Sequence, residues 1–208
     1  MKTILVVDDN LDVAEVFIEI LKQGGFHPLV AFSGEECLDI LKTETPDLIL
    51  LDIMMEPMDG WETLEQIKAG LTTALIPVIM LTSKQVTPAE IEKYGKYIED
   101  YVMKPVTNYE LCYVIEHVLD RQRNIEFDVT RAMQRDVDFG VVDEYAQLAR
   151  SIDINERFLN LFETRNDLNN PTINTNNAYG QAVSQLDTTI RFQKIRLQQI
   201  KEQIKVMP

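Results

Sequence analysis

Three short apolar runs of this chain end in side chains that could do chemistry together. Ile4-Leu5-Val6-Val7 runs into Asp8-Asp9, Leu48-Ile49-Leu50-Leu51 into Asp52, and Val78-Ile79-Met80-Leu81 into Thr82. An apolar run without alternation fits a strand buried on both faces, as in a parallel sheet. Three such strands place Asp8, Asp9, Asp52 and Thr82 at one carboxyl edge of an open α/β sheet, the edge at which such sheets bind ligands. Three carboxylates gathered there repel one another unless a hard divalent cation holds them, and Mg²⁺ with oxygen ligands is the natural candidate. A metal-held carboxylate beside a hydroxyl and a lysine is a phosphoryl-acceptor site.

The elements that position these residues alternate along the first 122 residues. Strand patterns fall at about 3–8, 27–32, 47–52, 77–82 and 99–103, with amphipathic helices at about 11–24, 34–44, 60–70, 88–96 and 107–122. Asn10, Ser33 and Thr107 are helix-start signals, and Glu110 completes a capping box with Thr107. Gly24-Gly25 ends the first helix, and Pro46, Pro77 and Pro88 punctuate the loops. Alternating β and α elements predict a doubly wound five-stranded parallel sheet.

The pattern then changes. Residues 123–141 are polar and read as a helical extension or linker. Residues 142–208 read as an all-α two-helix hairpin. One arm carries Tyr145, Leu148, Ile152, Leu159 and Phe162 at heptad-like spacing, interrupted by Asn155. The other carries Val183, Leu186, Ile190, Leu197, Ile200 and Ile204, interrupted by Gln193. Between the arms, Asn166 to Gly180 is rich in Asn and Thr and is not expected to be helical throughout. Two helices alone bury little area, so the hairpin should pack on the first domain or pair with a second copy.

Composition narrows the classes. The chain has 208 residues, 45% of them hydrophobic, enough for a proper core. No apolar stretch approaches the roughly 18 residues that span a bilayer, and no basic leader precedes the first strand. The expectation is a soluble, cytoplasmic protein. Cys37 and Cys112 each fall on the apolar face of a predicted helix; sequence admits a disulfide, and free buried thiols are the preferred reading. Residues 1–122 carry a net charge of −13 and residues 123–208 a net of −1, together the −14 of the chain. Neither part offers the basic stripe of a nucleic-acid surface.

With these residues in view, the first 122 resemble the receiver domain of two-component response regulators, a flavodoxin-like fold. The resemblance rests on VVDDN at 6–10, LLDIMMEPMDG at 50–60, VIMLTSK at 78–84 and YVMKP at 101–105. No single motif decides, but four in order do, with 43 residues from Asp9 to Asp52, 30 to Thr82 and 22 to Lys104. The resemblance implies that Asp52 accepts a phosphoryl group from a phosphohistidine on a partner histidine kinase. Asp8, Asp9, Asp52 and the backbone carbonyl of Met54 would hold Mg²⁺, Lys104 would contact the phosphoryl oxygens, and a cis peptide bond would join Lys104 and Pro105. Thr82 and Tyr101 would be the switch pair, the tyrosine swinging from exposed to buried when Asp52 is modified. A protein of this kind is a phosphoacceptor that assists its own phosphorylation and dephosphorylation, not an enzyme acting on other substrates.

Taken singly, each of these residues has an ordinary reading: helix cap for Asp8 or Asp9, strand-end hydroxyl for Thr82, solvated cation for Lys104, rim aromatic for Tyr101. Their joint spacing removes that reading. His27 and His117 remain ordinary histidines, and Trp61 an anchor for the third helix. The chain departs from the family pattern at Glu56-Pro57, where the proline stands one place late, at Tyr97-Ile98-Glu99-Asp100 before the switch aromatic, and at Ser83. Met54 and Lys84 flank the entrance for attacking water.

For residues 123–208 no family is recognised from sequence. A DNA-binding output would need short helices and a basic face, and a phosphotransfer bundle an exposed histidine, which no residue after His117 supplies. What remains is an interaction module for homodimerisation or a partner helix. The leading expectation is therefore a phosphorylation-dependent switch with a protein–protein output. The alternatives are a transcriptional regulator with an atypical helical DNA-binding end, and a phosphate sink.

Overall fold

The computed structural model describes residues 1–83, 87–169 and 178–206. Five strands, β1 (Thr3–Val7), β2 (His27–Ala31), β3 (Leu48–Asp52), β4 (Val78–Thr82) and β5 (Asp100–Met103), form one parallel sheet in the order β2-β1-β3-β4-β5. The apolar runs lack alternation because both faces are covered. Leu48 to Leu51 and Val78 to Leu81 are fully buried. On one face Ile4, Val6, Leu48, Leu50, Ile79 and Leu81 pack against two helices, α1 (Leu11–Gln23) through Phe17, Ile20 and Leu21, and α5 (Asn108–Met133) through Leu111, Ile115 and Val118.

The remaining helices of this unit are α2 (Gly34–Ile40), α3 (Gly60–Ala69) and α4 (Pro88–Tyr94). Asn10 caps α1 by accepting from the Asp12 and Val13 amides, Ser33 caps α2 through Glu36 N–H, and Thr107 and Glu110 close their box at α5. Two helices stop short of the expected ends. Beyond Ile40 the chain tightens, with Lys42 N–H bonding to Asp39 O and Thr43 N–H to Ile40 O. Beyond Tyr94 it passes into a 3-10 turn at Gly95–Tyr97.

Residues 1–120 and 121–208 form two compact units. In the second, α5 continues to Met133, with Ile125 and Ala132 buried along its inner side. Asp136, at φ 54°, turns the chain in the left-handed region that aspartate tolerates better than most residues. The helix α6 (Phe139–Asn169) follows, so Gly140, expected outside the hairpin, lies in its first turn, and α7 (Ala178–Val206) comes last. The stretch from Asn166 is helical as far as Asn169, and helix resumes at Ala178. Residues 170–177 and the side chain of Phe162 lie outside the described residues.

The helices α6 and α7 run antiparallel, Glu144 meeting Arg196 at 2.7 and 2.8 Å while Asn155 meets Gln193. Tyr145, Ile152, Phe158, Ile190 and Ile200 are buried. The two polar residues that break the apolar seams face each other: Asn155 Nδ2 donates to Gln193 Oε1 at 3.1 Å, and Gln193 Nε2 to Ser151 Oγ at 2.8 Å. A polar pair at matched seam positions favours one axial alignment over shifted ones. Arg121 pairs with Asp153, and the Tyr145 hydroxyl donates to Asp128, whose charge adds to burial in pushing that phenol upward in pKa.

Cys37 and Cys112 are free thiols, and burial pushes Cys37 up to about 12. No helix among the described residues is long and apolar enough to cross a membrane. Neighbouring positions on α7 should respond differently to truncation. Gln193→Ala strips Asn155 and Ser151 of a half-buried partner and is expected to cost about 1–2 kcal/mol, whereas Phe192→Ala, 70% exposed, should stay within about 0.5 kcal/mol. Urea midpoints followed by helical circular dichroism check the contrast.

Candidate functional site

Sheet register brings the site together. Val7 of β1 lies level with Leu51 of β3, Asp52 with Leu81 of β4, and Thr82 with Met103 of β5. Asp8, Asp52, Thr82 and Lys104 therefore arrive at the same edge from four adjacent strands. The backbone continues the ladder past the strand ends, with Ile53 N–H bonding to Leu81 O at 3.0 Å and Lys104 N–H to Thr82 O at 2.8 Å.

Carboxylate oxygens of Asp8, Asp9 and Asp52 lie within 4.8 Å of one another. Asp8 and Asp52 are buried and Asp9 is exposed. Each carboxylate is oriented by a backbone amide: Asn10 N–H donates to Asp8 Oδ1 at 3.0 Å, Met54 N–H to Asp52 Oδ2 at 2.8 Å, and Glu56 N–H to Asp9 Oδ2 at 3.3 Å. Lys104 Nζ reaches Asp8 Oδ2 at 2.5 Å and Asp52 Oδ1 at 2.7 Å. Burial raises the Asp52 pKa above its ordinary value, with Lys104 opposing and the Asp8 charge adding to the rise. Hard oxygen donors at this spacing, one facing solvent, suit a divalent cation such as Mg²⁺.

Thr82, the last residue of β4, is fully buried at the edge. Tyr101 lies two pairs further from the edge, level with Met80 in β4, and its ring is buried. The Lys104–Pro105 peptide is cis, and so is Glu56–Pro57, which sequence reasoning did not anticipate. The Met54 side chain is 56% exposed, Ser83 is exposed, and Lys84 lies outside the described residues.

Sequence reasoning also missed Gly60. A Cβ there would meet the Asp52 carbonyl oxygen at 2.1 Å and Ile53 Cα at 2.7 Å, so only glycine lets α3 start against the strand that carries Asp52. The available signal was the Asp59-Gly60 pair followed by Glu62, since Asp59 and Glu62 form a capping box at that helix start. Trp61 anchors α3 as expected of it, by stacking on Tyr94 of α4.

Fold and edge together define a doubly wound, flavodoxin-like domain with its site at the carboxyl ends of the strands. Within that class, residues 4–116 match the family model described as response regulator receiver domain, more than half of the chain, and the chain belongs to that family. Residues 121–208 match a second model, described as Metanogen output domain 2.

Among curated relatives, the transcriptional regulatory protein CpxR of Escherichia coli K12 is 37% identical over 121 residues, 58% of this chain and 50% of that protein. The probable transcriptional regulator ycf27 of Cyanophora paradoxa is 31% identical over 156 residues, 75% of this chain and 61% of that protein. The chain thus spans about half to three-fifths of the length of these relatives. Among solved structures, the N-terminal domain of a response regulator receiver protein from Methanoculleus marisnigri is 59% identical, with a TM-score of 0.50 over 57% of this chain and 97% of that one. The chemotaxis protein CheY4 of Vibrio cholerae, 23% identical with a TM-score of 0.54, covers 57% of this chain and 98% of that one and shares the fold.

Asp52→Asn keeps the shape of the side chain but removes one of three crowded charges. The raised pKa means that the folded state holds the Asp52 proton more tightly than the unfolded chain does. The stability that proton supplies is full below the unfolded value of 3.8 and fades as pH rises through the folded value. In metal-free buffer at neutral pH, Asp52→Asn should therefore melt higher than wild type by an amount on the order of 1 kcal/mol, a few degrees. Adding Mg²⁺ should raise the wild-type Tm and leave Asp9→Ala nearly unmoved, as read by calorimetry.

Proposed function

We propose that the chain is a response regulator of a two-component phosphorelay, with Asp52 accepting a phosphoryl group from a phosphohistidine of a histidine kinase and the output read through protein–protein contact. The observation that carries this reading is the buried Asp52 carboxylate, with Asp8 and Asp9 at ligand distance and Lys104 at 2.7 Å. In the transfer an Asp52 oxygen forms the bond to phosphorus while the P–N bond breaks, its electron pair leaving with the imidazole nitrogen. What the site must do is position that carboxylate and neutralise the charge on the phosphoryl oxygens. Lys104 supplies a compact cation by moving from its carboxylate partners toward those oxygens, and Thr82 supplies a hydroxyl. Mg²⁺, held by Asp8, Asp9, Asp52 and the Met54 carbonyl, would contribute the divalent charge that neutralises the same oxygens.

Modification replaces the single charge of the Asp52 carboxylate with a phosphoryl group carrying about −1.5 to −2, by analogy with other phospho-residues, a net gain of about one negative charge or less. Thr82 answers it first and Tyr101 follows, altering the face made by α4, β5 and α5. On this reading residues 1–120 are the receiver, the end of α5 as far as Met133 a helical extension, and α6 and α7 an interaction module that pairs with a second copy or with a partner helix. The near-neutral charge of the last part and its long arms support a protein partner. A DNA-directed output is the second reading, favoured by the names of relatives such as CpxR, although that similarity spans only 58% of this chain.

Light scattering of the purified chain with Mg²⁺, with and without beryllofluoride, tests the output. A mass change that needs both Mg²⁺ and Asp52 is expected, and it should vanish in Asp52→Ala. An unchanging monomer would contradict self-association. A salt-sensitive DNA shift lost on reversing charges along α7 would favour the second reading.

A further inference from the structure

Trp61, the sole tryptophan of the chain, lies face to face with Tyr94, ring centroids 4.3 Å apart and planes at 7°. Both rings are buried, at 6% and 9% exposure. Further contacts tie the same two helices. The indole Nε1–H donates to Glu90 Oε1 at 3.3 Å, and Lys93 Nζ donates to the Tyr94 hydroxyl at 2.6 Å and pairs with Glu65 at 3.1 Å. Trp61 and Glu65 belong to α3; Glu90, Lys93 and Tyr94 belong to α4.

The other side of Trp61 is fixed just as closely. Its neighbour Gly60 donates its N–H to Ile53 O at 3.0 Å, and its Cα has no room for a side chain against the Asp52 carbonyl. One residue of helix therefore separates the backbone that carries the acceptor from the ring that fixes α4. Packed interiors have low compressibility and pass displacement on rather than absorbing it.

We propose that Gly60, Trp61 and Tyr94 form a mechanical link through which a change at Asp52 repositions α4, separate from the Thr82–Tyr101 pair. The link deepens the phosphoacceptor reading and rests on it. Trp61 and Tyr94 are positioning residues here, since neither touches the reacting atoms. Coupling of this kind is reciprocal. If Asp52 moves the stack, then breaking the stack must change the affinity of the Asp52 site for a phosphoryl mimic.

The test is calorimetric titration of beryllofluoride into the full chain with Mg²⁺, for wild type, Tyr94→Leu, Tyr94→Phe and Trp61→Phe. Tyr94→Leu removes the ring and should shift the binding midpoint by about fivefold or more. Tyr94→Phe keeps the ring and loses only its hydroxyl, so it should bind close to wild type. Trp61→Phe, the milder second variant, loses the Glu90 hydrogen bond and part of the stack, and should shift the midpoint in the same direction by less. A Tyr94→Leu protein that melts lower yet binds with the wild-type midpoint would overturn the link and leave the stack as packing alone. If Tyr94→Leu does not fold, an unshifted Trp61→Phe midpoint overturns it equally. Failure of wild type itself to bind beryllofluoride would instead strike the phosphoacceptor reading beneath it.

Discussion

Three aspartate carboxylates meet at the carboxyl edge of the sheet, and the local structure is arranged around holding that charge. Asp8 and Asp52 are buried, so neither can rely on water to offset the repulsion. Lys104 bridges them, and one backbone amide aims each carboxylate. The strands supply the geometry. Parallel register sets Asp52 and Thr82 at the ends of adjacent strands and delivers Lys104 one residue beyond β5. Charge that is costly to gather is suited to binding a cation and to responding when a further charge arrives.

The helical unit handles polarity differently. Its seams are apolar except where Asn155 and Gln193 interrupt them, and those two residues satisfy each other with Ser151. Ion pairs such as Arg196 with Glu144 lie on exposed surface, where each contributes little to stability. Ile152, Phe158, Ile190 and Ile200 are buried and contribute cohesion, and the polar pair selects the alignment.

Much of the fold and of the site's membership was legible because parallel strands leave an unusual trace. A strand covered on both faces reads as an unbroken apolar run, and a polar residue at its end stands out. Asp8, Asp52 and Thr82 were visible for that reason, and the caps at Asn10, Ser33 and Thr107 because side-chain capping is local chemistry. Helix ends were less legible: α2 and α4 give way to tighter turns whose hydrogen bonds depend on the following loop. The continuation of α5 to Met133 was hidden by polar composition, although Ile125, Val129 and Ala132 keep helical spacing. The role of Gly60 could not be read, because the clash it avoids exists only once α3 docks on β3. Trp61 and Tyr94 are 33 residues apart, and nothing local in either segment announces their stack.

The most direct measurement is the site of phosphorylation. The purified chain is incubated with Mg²⁺ and a small-molecule phosphoryl donor such as acetyl phosphate, and the acyl phosphate is trapped by borohydride and mapped by peptide mass spectrometry. The expected result is modification at Asp52 alone, dependent on Mg²⁺, abolished in Asp52→Asn and strongly slowed in Lys104→Ala. Modification that persists in Asp52→Asn, or that proceeds equally without divalent cation, would contradict it.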